Sequence, residues 1–155
     1  MSVDYIERMK FRTLFRSSTK KDQSTVFVIP DDVNVIDWDS ALEQCSGDKL
    51  FVQELLVDLL GEARSHVNSI KKSLERGDML GVQHAAHSIK GAAANLMCHR
   101  LRIVALYMET EGKTGTQLES GSSKLISLKS CLYEAFKVLE QEVVSLEKVI
   151  DSFLS

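Results

Sequence analysis

Residues 84 to 96 read His-Ala-Ala-His-Ser-Ile-Lys-Gly-Ala-Ala-Ala-Asn-Leu. The spacing of apolar residues predicts a helix over residues 78 to 96. Met79, Val82, Ala86, Ile89, Ala93 and Leu96 recur at alternating steps of three and four, which is the inward seam of a bundled helix. On a wheel of about 100° per residue, His87 falls roughly 130° from the centre of that stripe and points outward. Gln83, Lys90, Gly91 and Ala94 are its wheel neighbours, with His84 a little further round.

This outer face is unusual. Solvent-facing helix positions normally carry Glu, Lys or Arg, and Gly costs about 1 kcal/mol there relative to Ala. Beside His87 the residues are Gly and Ala, with one lysine a turn away. Missing side chains admit another backbone, and a lysine at i+3 can neutralise an anion on the ring. An exposed imidazole titrates near about 6.5, so much of it is neutral and nucleophilic at neutral pH. A nucleophilic histidine, an adjacent cation and a bare docking face point to phosphate in transit between proteins.

His87-Ser88-Ile89-Lys90-Gly91, with the small residues Ala92, Ala93 and Ala94 and then Asn95-Leu96, resembles the histidine-containing phosphotransfer (HPt) domain. That family's core pattern is His-x-x-Lys-Gly. The resemblance spans roughly residues 37 to 154. It includes Gly47-Asp48 ahead of a Leu-rich helix and Gly77-Asp78 opening the histidine helix. One departure is Met97, where the family often carries Gly. Glycine there gives an easy left-handed helix exit, so Met97 puts the local turn geometry in question.

The resemblance implies a phosphorelay intermediate. His87 would accept a phosphoryl group from a receiver-domain aspartate, through Nε2, and pass it to another response-regulator aspartate. Lys90 would offset the phosphoryl charge. Gln83, His84, Gly91 and Ala94 would form the receiver dock. The implied partners are the receiver domains of a hybrid histidine kinase and of response regulators, with Mg²⁺ supplied by the receiver. No cofactor of the chain's own is expected. No acidic pair flanks His87 to hold a metal, and no Gly-x-x-x-x-Gly-Lys nucleotide loop occurs. The expected role is therefore a carrier rather than an enzyme. A helical adaptor that binds partner helices without chemistry is the alternative. A metal site at His84 and His87 is disfavoured, because bundle metal sites face the core and recruit carboxylates from facing helices.

Composition narrows the classes further. The 155 residues have a net charge of −3, one proline and 44% hydrophobic content. That charge gives no reason to expect nucleic acid. No apolar run approaches the ~20 residues of a membrane span, and no signal-peptide core is evident. Cys45, Cys98 and Cys131 form an odd, widely spaced set, expected as reduced thiols in the cytoplasm or nucleus. A monomer is expected.

The expected fold is all-α, an antiparallel four-helix bundle with a short capping helix and an N-terminal extension. Residues 1 to 36 form the extension and linker, and residues 37 to 154 the bundle. Residues 1 to 21 carry a net +4, leaving −7 on the remainder, and read as a loosely amphipathic basic helix. Residues 17 to 25 read as a linker, and Val26-Phe27-Val28-Ile29 as an extended strip on the bundle, stopped by Pro30. Asp37 or Asp39 caps a short helix to about Cys45, with Trp38, Ala41 and Leu42 inward. A second helix runs from Lys49 to Arg76 on a seam of Phe51, Leu55, Leu59, Ala63, Val67, Ile70 and Leu74, widened by Val52, Leu56 and Leu60. After the histidine helix, a helix from His99 to Glu111 turns Leu101, Val104 and Met108 inward. The three glycines of residues 111 to 121 predict a loop. The last helix spans about Ser122 to Phe153, roughly 48 Å at ~1.5 Å per residue. Its seam is Leu125, Leu128, Leu132, Ala135 or Phe136, Leu139, Val143, Leu146, Ile150 and Phe153.

Overall fold

The computed structural model describes residues 27 to 154. The basic segment 1 to 21, the linker that follows it and Val26 lie outside the described residues. Five helices follow in order: α1 Trp38–Gln44, α2 Lys49–Arg76, α3 Met79–Asn95, α4 His99–Thr116 and α5 Ser123–Leu154. Among the described residues there is no strand.

Short polar side chains start most of these helices. The carboxylates of Asp37, Asp48 and Asp78 accept from the amides of Ser40, Phe51 and Gly81, at 3.2, 3.1 and 2.9 Å. Ser122 Oγ does the same for Leu125 at 3.2 Å. Each satisfies a donor that the first helical turn leaves without an intrahelical partner. The α2 exit is a Schellman turn, with Gly77 at φ +70° and the Asp78 amide reaching back to the Ser73 carbonyl at 2.8 Å.

The α3 exit settles the Met97 question. Met97 itself takes the left-handed conformation, φ +56°. The Cys98 amide donates to Ala93 at 2.9 Å and the Met97 amide to Ala94 at 3.3 Å, completing the same turn without glycine. The Met97 carbonyl in turn accepts the Asp37 amide at 3.0 Å. That bond ties the start of α1 to the α3–α4 corner. Trp38 stacks on Phe153 of α5 with ring centroids 4.1 Å apart, so α1 closes the end of the bundle where α3 ends, α4 begins and α5 ends.

Side-chain pairs tie neighbouring long helices together. Arg64 pairs with Glu147 across α2 and α5, and Arg100 with Glu142 across α4 and α5. Inside lie Val52, Leu56, Ile70, Val82, Ile89, Leu101, Val104, Met108, Leu132, Leu139 and Leu146. The α3 seam is buried throughout, from Met79 to Leu96. The α5 seam is buried from Leu125 to Ile150, with Ala135 and Phe136 both inside.

Two expectations are corrected. The α2 seam is centred on Val52, Leu56, Leu59 and Ala63, and Phe51 stays 47% exposed at the first turn. Leu55 and Val67 are only partly buried. Nor does a loop begin at Glu111: α4 continues to Thr116. Gly112 and Gly115 are buried helix-contact positions, not chain breakers. The hydroxyls of Thr110, Thr114 and Thr116 donate to carbonyls of the preceding turn at 2.9, 3.1 and 2.6 Å.

The strip ahead of α1 lies on the bundle as expected. Phe27 and Ile29 are buried and Val28 is exposed, and Phe27 packs on Tyr107 at 4.5 Å. Arg100 fastens this strip. Its guanidinium donates to both Glu142 oxygens and to the carbonyls of Pro30 and Val33, all at 2.9 to 3.3 Å. Of the three free thiols, Cys98 is fully buried, and burial pushes its pKa up to about 12.

Candidate functional site

The buried α3 seam fixes which way His87 points. With Ala86 and Ile89 wholly inside, the two residues between them, His87 and Ser88, face out, and the His87 side chain is 66% exposed. Its Nδ1 lies 2.7 Å from Oε1 of Glu109 on α4. The other oxygen of that carboxylate, Oε2, is 2.6 Å from Lys90 Nζ. One acid therefore holds both the histidine and the lysine that follows it by one helical turn.

Protonation states follow from this geometry. The Glu109 side chain is only 18% exposed. Burial pushes its pKa upward, but the hydrogen bonds and charges of Lys90 and His87 outweigh that and hold it below the ordinary carboxylate value. An ionised carboxylate can only accept, so Nδ1 carries the ring proton. In the neutral ring the lone pair then sits on Nε2, the exposed tip. The pair presents one oriented nucleophilic nitrogen.

The other candidate residues share α3. His84 and Gly91 are exposed, and Gln83 and Ala94 are half-buried. A side chain at Gly91 would meet nothing within 4 Å, so its openness is available to an incoming molecule. Leu80 extends the same strip as an exposed apolar residue. Lys90 sits beside the ring, yet in this state its partner is Glu109. Among the described residues, no three His, Cys, Asp or Glu side chains converge as metal ligands.

Glu109 is the residue that sequence reasoning missed. It stands one position past the α4 seam residue Met108, and nothing in its own neighbourhood marks it. Locating it opposite His87 requires the register of α4 against α3.

The family model of the Hpt domain matches residues 54–144, more than half of the chain, with the histidine helix inside the match. The chain belongs to the Hpt domain family. Hpt domains carry out histidine phosphotransfer in phosphorelays, and the helical bundle with an exposed histidine fits that role. A comparison with curated proteins gave no match. No helix among the described residues is long and apolar enough to cross a membrane.

Proposed function

We propose that this Hpt domain is a phosphorelay intermediate with His87 as the phosphoryl carrier. The observation that carries the reading is the arrangement of His87, Glu109 and Lys90: Nδ1 tied down, Nε2 free, and a cation one turn away. A receiver domain docks on the face formed by Gln83, His84, Gly91 and Ala94. Nε2 attacks the phosphorus of its aspartyl phosphate. The N–P bond forms as the acyl P–O bond breaks, and the aspartate leaves as a carboxylate. No proton has to leave Nε2, because its lone pair is already free. The ring gains positive charge during transfer, and Glu109 stabilises it through the Nδ1 proton, as a buried carboxylate does for an imidazolium in acyl transfer.

Lys90 is within reach of the same region and exchanges part of its contact with Glu109 for the phosphoryl oxygens. Transfer onward is the reverse, with a second receiver's aspartate as nucleophile. Such chemistry rests on positioning and charge neutralisation. The Mg²⁺ it needs comes with the receiver. The protein acts as a carrier, as a monomer, in the cytoplasm or nucleus. Incubation with a phosphorylated receiver domain and Mg²⁺ tests the reading. Wild-type protein takes up label, and His87→Gln, folded by circular dichroism, takes up none. No uptake by wild type from several receivers would leave a helical adaptor as the better description.

A further inference from the structure

Three contacts along α3 and α4 fall on one ladder. Met79 lies against Gly115, Gln83 against Gly112, and His87 against Glu109. Each step of four residues along α3 is matched by a step of three back along α4, as two antiparallel helices in a single register require.

The middle rung differs in kind from the one before it. A Cβ on Gly115 would meet the Met79 side chain at 2.7 Å and Leu128 Cδ2 at 3.0 Å, side-chain atoms that can shift without moving a helix. At Gly112 a Cβ would lie 2.9 Å from the Gln83 nitrogen, 3.2 Å from its Cα and 3.2 Å from the Met79 carbonyl oxygen. All three are backbone atoms of α3, so only movement of a whole helix relieves that clash. Glu109 is one turn away on α4, and His87 is one turn away on α3. Both oxygens of its carboxylate are already engaged, at 2.7 and 2.6 Å, which leaves little slack for the helices to part.

We infer that Gly112 is a positioning residue for His87: its missing side chain lets the α4 backbone touch α3 at Gln83, and that contact sets the spacing at which Glu109 holds the ring. The consequence for transfer rests on the phosphocarrier reading, while the geometric claim stands apart from it.

The test uses the full chain and four variants: Gly112→Ala, Gly115→Ala, Glu109→Gln and the Gly112→Ala/Glu109→Gln pair. ¹⁵N spectra of the His87 ring report which nitrogen holds the proton, and an untethered imidazole favours Nε2. Transfer from a phosphorylated receiver domain is measured alongside. The expected result is a helical Gly112→Ala that loses the Nδ1–H signature and transfers about tenfold more slowly, within the ~10²-fold that a 1 Å misplacement can cost. Gly115→Ala keeps both, and the double variant is no slower than Glu109→Gln alone, because the two changes act through one contact. An unchanged ring signature in folded Gly112→Ala, or losses that multiply in the double variant, would overturn the inference.

Glu109→Asp provides an arm that does not depend on Gly112→Ala folding. It withdraws the carboxylate by one methylene at unchanged helix spacing and is expected to lose the same signature. Retention of the signature by Glu109→Asp would also overturn the inference, since the spacing would then not govern the contact. If wild type takes no phosphate while the ring signatures behave as expected, the carrier reading fails and the role of Gly112 in spacing stands.

Discussion

At the scale of single residues, the site is one acid shared by two bases. Glu109→Gln keeps the shape of the side chain and removes its charge. Phosphoryl uptake should fall about 10- to 100-fold, the range for losing a carboxylate that orients a histidine ligand, and a receiver uptake time course checks it. The folded-state pKa of Glu109 lies below its ordinary 4.5. The stabilisation from its two pairs is therefore present above about that pH and lost as pH falls through the depressed value. The gap in melting temperature between wild type and Glu109→Gln should hold from neutrality to mild acid and close below. A gap that survived at the lowest pH would mean that charge is not its source. Gly91 gives a prediction of opposite character. Ala at 91 meets nothing in the protein and should raise stability by up to about 1 kcal/mol by denaturant titration, yet slow transfer by crowding the receiver. The outward placement of His87 and Gly91 was legible in the sequence, because periodicity along one helix tells in from out. Glu109 was not, because its partnership crosses between helices.

At the scale of helices, the ends were easier to read than the contacts. Asp48, Gly77 and Asp78 act locally, through bonds to amides and carbonyls three to five residues away, so their roles follow from order along the chain. Gly112 and Gly115 misled for a related reason. Glycine breaks a helix judged by propensity, but here it serves close approach to α3, a tertiary demand that propensity does not contain. Met97 shows the converse, a side chain held in a backbone conformation that favours glycine. Met97→Ala and Met97→Gly both lose the packing of a partly buried side chain, but only glycine relieves the left-handed strain. Chemical denaturation should find Met97→Gly about 1 kcal/mol more stable than Met97→Ala. Equal stabilities would show that the turn imposes no strain.

At the scale of the whole molecule, the four-helix pattern followed from the seams, while the fastening of the strip before α1 did not. Arg100 links that strip, α4 and α5 at once, and nothing near it in sequence marks the role. Its partner Glu142 is only 8% exposed at the side chain. Arg100→Ala leaves that carboxylate buried without its cation and should cost about 3 kcal/mol or more, read from the denaturation midpoint. Because Arg100 lies away from Glu109 and His87, transfer by the folded fraction should change little. In the proposed relay, His87 carries phosphate on Nε2 while Glu109 holds Nδ1. The most direct measurement is ³¹P and ¹⁵N magnetic resonance of ring-labelled protein after transfer from a phosphorylated receiver domain. One phosphohistidine signal, coupled to Nε2 of His87 and absent in His87→Gln, is the predicted result. Phosphate on Nδ1, phosphate on another residue, or none on folded protein would contradict it.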